Sequence, residues 1–206
     1  MEAVRLIAVT KSHPFEAVAA ALEAGLTDFG ENRVEELEGK VEHFGAKSAR
    51  WHMIGHLQSR KARRALAAAD LIHSVDSFRL GERIARAAEE DERLVHVLAQ
   101  VNTSGEESKG GFTPERAVEE IHALSERTGL RVDGLMTMAP FVDDEVVLGE
   151  AFGRLRRLSE ELRSVTDRVG PELSMGMTND LEIAIREGST MVRIGTALFG
   201  ERGTRQ

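Results

Sequence analysis

The chain has 206 residues, and its 27 Lys and Arg against 35 Asp and Glu give a formal charge of −8. That mildly acidic balance disfavours a nucleic-acid or anionic-membrane surface, and 41% hydrophobic with 30% charged residues excludes a largely disordered chain. Cysteine and tyrosine are absent, which removes disulfides, thiolate chemistry, Cys-ligated metals and any phenolic acid or base.

No apolar run approaches the ~20 residues of a membrane span, and the N-terminal MEAVRLIAVTK lacks a signal peptide's basic, apolar and small regions. A soluble, cytoplasmic protein is the expectation. In chain order, short β-branched runs alternate with segments of helical period. A first strand is predicted over Val4–Thr10, then a helix opening at Pro14 with Ala17, Val18, Ala21 and Leu22 on one face. A second strand at Thr27–Gly30 precedes a helix with Val34, Leu37 and Val41, and a third at Trp51–Gly55 precedes a Lys-, Arg- and Ala-rich helix. The fourth, Leu71–Val75, ends at Asp76-Ser77, a good helix start, followed by Leu80, Ile84 and Ala87.

The fifth strand, Leu94–Val101, leads into the polar loop NTSGEESKGG, after which Thr113-Pro114-Glu115 opens a helix carrying Val118, Ile121 and Leu124. The sixth, Val132–Met138, is followed by the clearest helix of the chain, with Leu148, Phe152, Leu155, Leu158 and Leu162 in phase. A seventh strand near Glu172–Met175, a helix near Asp180–Glu187, an eighth strand at Met191–Ile194 and a short last helix complete the pattern. Strand–helix alternation implies a parallel sheet covered by helices. Eight such units in one domain, residues 1–206, predict an α/β fold of the (β/α)₈ TIM-barrel type, near the short end of its usual ~200 to 400 residues. An open doubly wound sheet is the competing arrangement, but its GxGxxG fingerprint is missing.

Function in such a barrel gathers where strands end and βα loops begin. The candidates there are Lys11; Glu31 and Asn32; His56 and Gln58; Ser74 and Asp76; Asn102 and Ser104 with Lys109; Met138 and Pro140; Ser174, Met175, Gly176 and Met177; and Arg193, Gly195 and Thr196. Lys11 closes an apolar strand, where partial desolvation would lower its pKa and favour attack on carbonyls; a solvated lysine at a strand end is the competing reading. The loops SMGMTND and RIGTALFG fall after the seventh and eighth strands, where this fold usually binds phosphate, although helix capping would account for the same residues. Arg193 could pair with a carboxylate inside the barrel or donate to a cofactor ring nitrogen. His52 and His56 lack the HExxH context of a zinc site. Gly111 stands where a P-loop would place its lysine. Arg60–Arg64 is a basic helical run, of a kind more often solvated than RNA-binding, and Trp51 reads as core.

The segments AVTKSHP, FGENRVEEL, WHMIGHLQSRKAR, IHSVDS, VNTSGEESKGGF, GLMTMAP, LSMGMTNDLEIAI and GSTMVRIGTALFG resemble, in order over nearly the whole chain, those of the pyridoxal phosphate homeostasis proteins. The resemblance implies a barrel like the N-terminal domain of alanine racemase and a cofactor, pyridoxal 5'-phosphate (PLP), held as a Schiff base on Lys11. It implies phosphate-binding positions at Ser174, Gly195 and Thr196, an arginine facing the pyridine nitrogen at Arg193, ring neighbours at Asn32 and Met175, and a lysine for PLP exchange at Lys109. It implies a role in PLP (vitamin B6) homeostasis without turnover, with PLP-dependent apoenzymes as possible recipients, and no metal. The chain departs from the family pattern in starting almost at the first strand, in Arg33 where many members have tyrosine, and in His13 where many have a second lysine.

A guanidinium facing the ring nitrogen disfavours its protonation and makes the ring a poorer electron sink. Racemisation then needs two well-placed bases, and the tyrosine that alanine racemases use for one of them is missing, as is a second domain. A PLP-dependent amino-acid racemase is therefore the alternative reading, followed by a Schiff-base aldolase acting on a sugar phosphate and by an RNA-binding module using the Arg60–Arg64 face. A monomer is expected.

Overall fold

The computed structural model describes residues 3–106 and 109–200. Eight parallel strands close into a barrel in chain order: β1 (Arg5–Val9), β2 (Asp28–Glu31), β3 (Arg50–Met53), β4 (Leu71–Val75), β5 (Val95–Gln100), β6 (Leu130–Met136), β7 (Val169–Ser174) and β8 (Met191–Ile194), with β8 returning to β1. The intervening helices are α1 (Phe15–Glu23), α2 (Val34–Phe44), α3 (Ala62–Ala68, after a 3₁₀ turn at Ser59–Lys61), α4 (Phe78–Glu90), α5 (Pro114–Ser125), α6 (Glu145–Val165), α7 (Leu181–Arg186) and α8 (Thr196–Phe199). The predicted (β/α)₈ barrel is the observed fold.

Local chemistry sets the helix starts. Ser77 Oγ accepts from Leu80 N at α4, Asp144 Oδ1 accepts from Val146 N and Val147 N at α6, and Pro114 stands in the first turn of α5. The longer helices lay apolar stripes on the outward faces of the strands. There Phe29, Trp51 and Phe152 are fully buried with Leu37, Leu66, Ile84, Leu124 and Leu155. Trp51 is core, as expected, packed near Phe29 and Phe44. Side-chain alternation sends every second strand residue into the barrel. The inward set includes a separate apolar cluster of Ile7, Leu71, Leu98, Met136 and Met191.

The sequence reading misplaces two strands. β6 begins two residues earlier than predicted and stops at Met136, so Thr137 and Met138 belong to the mouth loop. β7 begins at Val169 because Gly170-Pro171, which reads as a turn, lies inside the strand. A Cβ on Gly170 would sit 2.5 Å from the Asp133 carbonyl oxygen, so the glycine permits the close approach of β6, and Pro171 lies at an exposed position of the strand.

Candidate functional site

The mouth is formed where the strands end. Lys11 lies two residues beyond β1, in phase with the inward-facing Ile7 and Val9, and is half-buried. The next residue, Ser12, has φ 62°, a sparsely populated conformation for a residue with a side chain. Its N–H donates to Glu36 Oε2 at 2.8 Å, so α2 pins the turn that carries the lysine. His13 then stacks obliquely on Phe199 of α8, with ring centroids 5.1 Å apart, and joins the first mouth loop to the last. Asn32 directly follows β2, and a Cβ on Gly55 would lie 2.4 Å from its carbonyl oxygen, so the loop after β3 closes directly on it.

Arg193 lies on β8, beside β1, and pairs in register with Ile7. Its guanidinium is buried inside the barrel: Nη1 donates to Ser174 O and Ser174 Oγ, both at 2.7 Å, and Nη2 donates to Thr137 O at 2.9 Å. Burial lowers its pKa to about 10, with Asp180 acting against the shift, so it stays protonated at neutral pH. Gly195 and Thr196 follow at the start of α8, half-buried and exposed respectively, beside the first strand's loop. First-turn N–H groups of a helix have no intrahelical acceptor and face outward.

Other expected site residues are committed elsewhere. Ser174 is fully buried, and its hydroxyl contacts Arg193 and His73 rather than the mouth surface. Met175 turns its side chain into the outer apolar layer. Lys109 tethers two mouth loops, donating to Ala139 O at 2.8 Å and to Glu106 Oε1 at 3.1 Å, while Asn102 Nδ2 donates to the Glu106 and Lys109 carbonyls. Glu107 and Ser108 of that loop lie outside the described residues.

Glu31 and Ser74, candidates by position, face outward. Ser74 Oγ donates to Gly55 O at 2.6 Å. Glu31 is fully buried; its Oε1 accepts from Lys40 Nζ and Thr10 Oγ1, each at 2.5 Å, and Lys40 also donates to Thr10 O. Burial raises the Glu31 pKa above the usual carboxylate value despite the lysine beside it, and its Oε2 has no hydrogen-bond partner among the described residues. His56 is exposed and contacts Asp76. The basic run is engaged by carboxylates: Lys61 with Glu35, Arg63 with Glu90 and Asp91, and Arg64 with Glu35 and Glu38.

The sequence reading missed His73, Asp28 and Lys40, and weighed His52 only as a zinc ligand. The pairing of β2, β3 and β4 puts His73, His52 and Asp28 in phase with inward residues, a relation that only the closed barrel shows. Burial of His73 pushes its pKa well below the ordinary value. Burial acts to raise that of Asp28, but the hydrogen bonds from His52 and Thr27 and the Arg5 charge beside it outweigh the burial, and the net shift is downward.

The family model for the N-terminal domain of alanine racemase matches residues 1–203. The pyridoxal phosphate homeostasis protein of Aquifex aeolicus is 39% identical over 198 residues, covering 96% of this chain and 87% of the relative. The chain belongs to the pyridoxal phosphate homeostasis protein family. Among solved members of the same fold, PipY of Synechococcus elongatus PCC7942 superposes without PLP at a TM-score of 0.91 with 39% identity, covering 96% of this chain and 93% of PipY. With PLP bound, PipY gives a TM-score of 0.89 at 37% identity, covering 97% and 94%. An alanine racemase of Clostridium difficile shares the fold alone, at 17% identity and a TM-score of 0.82, over 99% of this chain but 54% of the racemase. The homeostasis-protein barrel of this chain thus matches about half of a racemase polypeptide.

Proposed function

We propose that this chain is a single-domain, cytoplasmic, monomeric carrier that holds PLP as a Schiff base on Lys11 and serves PLP homeostasis without catalytic turnover. The observation that carries the reading is the placement of two cations on adjacent strands that close the barrel. Lys11 rises into the mouth at the end of β1, and Arg193 is buried beneath the same mouth on β8. PLP supplies an aldehyde for an amine, a ring nitrogen for a donor and a dianion for backbone N–H groups. The donor set has the right chemistry for each of these: an amine, a fixed guanidinium, and a helix start at Gly195 and Thr196. The PLP-bound PipY structure supports the assignment by likeness.

Each residue has a part. Lys11 anchors the aldehyde carbon. Arg193 donates to the ring nitrogen and keeps it unprotonated, which limits carbanion stabilisation. Asn32 borders the ring, and Met175 lies beside it through its main chain. Gly195 and Thr196 receive the phosphate, and Ser174, expected there as well, acts instead at the ring-nitrogen end through Arg193, which its hydroxyl holds. Lys109, on a loop that bridges the mouth, takes part in PLP exchange with recipient apoenzymes. The chain has no tyrosine and no cysteine, so a racemase's phenolic base is not available, and the thiol-free composition suits a reducing cytoplasm.

The test is reduction with borohydride after incubation with PLP. The protein is expected to turn yellow, lose the visible band on reduction and yield one adducted peptide containing Lys11, while Lys11→Ala stays colourless. An adduct on another lysine, or loss of optical rotation of an L-amino acid that disappears in Lys11→Ala, would overturn the proposal.

A further inference from the structure

The inside of the barrel contains a polar path that the carrier role does not by itself require. His73 Nδ1 lies 2.9 Å from Ser174 Oγ across the barrel, between β4 and β7. His73 Nε2 lies 2.9 Å from His52 Nδ1, and His52 Nε2 lies 3.1 Å from Asp28 Oδ1 at the start of β2. Both imidazoles are fully buried. Asp28 is reached in turn by Thr27 at 2.8 Å and by Arg5 at 3.9 Å, and Arg5 lies 3.7 Å from Glu172.

Among the described partners, one direction gives every hydrogen of this path an acceptor. Arg193 has no acceptor, so Ser174 Oγ accepts from it and has one proton to give. That proton goes to His73 Nδ1, so His73 carries its hydrogen on Nε2 and donates to His52 Nδ1. His52 then carries its hydrogen on Nε2 and donates to the Asp28 carboxylate. Every link is satisfied, and a cation at the mouth is joined to an anion at the base through two neutral rings. Paired and filled in this way, the buried polar groups avoid the penalty of unmet hydrogen bonds and fix one arrangement.

We propose that His73 and His52 are positioning residues for Arg193, which order its guanidinium through Ser174 by a file of hydrogen bonds ending on Asp28. The proposal rests on the reading that Arg193 faces the PLP ring nitrogen. The file fixes the inner edge of the guanidinium fork, so that its remaining N–H groups present one geometry to the ring. The apolar cluster of Ile7, Leu71, Leu98, Met136 and Met191 surrounds the file, and among the described residues the other partners of the guanidinium are the main-chain oxygens of Ser174 and Thr137.

The experiment has two arms on the full chain. Without PLP, ¹⁵N NMR of the histidine side chains is expected to show His52 and His73 both as Nε2–H tautomers at neutral pH; a hydrogen on His73 Nδ1 would overturn the file. With PLP, Ser174→Ala and His73→Phe are expected to keep the adduct on Lys11. They should bind PLP on the order of tenfold more weakly, from the loss of one hydrogen bond to a charged group, and shift the ring-nitrogen resonance of ¹⁵N-labelled PLP. Ser174→Thr, which keeps the hydroxyl, should restore that resonance. Wild-type affinity and an unmoved ring resonance in Ser174→Ala would overturn the positioning role even if His73→Phe does not fold. A wild-type chain that takes no PLP onto Lys11 would instead overturn the carrier reading, and the tautomers would still decide the file.

Discussion

The two walls of the barrel are built from different chemistry. Outside, between strands and helices, the contacts are apolar and extensive: Trp51, Phe29, Phe152 and the leucines of α2, α5 and α6 fill the layer. Inside, one small aliphatic cluster shares the space with Arg193, His73, His52 and Asp28, which meet through defined hydrogen bonds. Apolar burial is non-directional and scales with area, so the outer wall sets how stable the barrel is. Hydrogen-bonded ions and rings are directional, so the inner wall sets where the mouth's functional groups stand. Stability and site geometry are thus separable, and substitutions on the two walls should separate them.

The largest separation is expected from Phe152→Ala on α6, a fully buried side chain of the outer layer. Truncating such a ring costs about 3–5 kcal/mol through lost burial and the cavity left behind. Denaturant unfolding should show that loss, while borohydride trapping on Lys11 and the band of bound PLP stay as in the parent. A change in the band at unchanged stability would break the division between the walls.

Legibility followed the same division. The outer wall was readable because helical stripes such as Leu148, Phe152, Leu155 and Leu162 repeat at the period of a helix, and eight helical segments alternate with short strand-like runs. The barrel followed from that count. Lys11 and Arg193 were readable as mouth residues because each stands at or near the end of an apolar strand. The inner path was not, because strands covered on both faces carry no strict alternation, and His52, His73 and Asp28 look like isolated polar residues in their runs. Their meeting depends on barrel closure: His73 and Ser174 are 101 positions apart and touch only because β4 and β7 face each other across the interior. Glu31 was misjudged for a related reason, since being last in its strand does not decide which face it takes.

A smaller and pH-dependent loss is expected from Lys40→Met, in the layer between β2 and α2. The substitution leaves the Glu31 carboxylate buried without its cation, a change that costs about 3 kcal/mol at neutral pH. Glu31 is already raised by burial above its ordinary 4.5. A raised carboxyl contributes stability that is fully present below its unfolded pKa and is lost as pH rises through the folded one. The deficit of Lys40→Met should therefore grow as pH rises through the raised folded pKa of Glu31 toward neutrality and shrink as pH falls back toward the ordinary 4.5, where the carboxyl is protonated in both chains. Adding Glu31→Leu should recover most of it, because two apolar side chains then replace a broken pair. A deficit independent of pH would mean that Lys40 acts by packing alone.

Asp28→Asn should have the smallest effect, and its deficit should also fade in acid. The asparagine keeps an oxygen to accept from His52 Nε2, so only the charge is lost, for about 1 kcal/mol at neutral pH. Asp28 is held below its ordinary 3.8, since His52, Thr27 and Arg5 together outweigh the effect of burial. A depressed carboxyl contributes stability that is present above the unfolded pKa and lost as pH falls through the folded one. Parent and variant should therefore differ at neutral pH and converge in acid, below the ordinary 3.8. This substitution acts on the inner wall, so the ring-nitrogen resonance of bound PLP should move although the stability change is small. Phe152→Ala predicts the reverse, a large stability change with a fixed resonance. If Asp28→Asn left that resonance in place, the path from Asp28 to Arg193 would be structural filling, and the inner wall would owe its polarity to something other than the mouth.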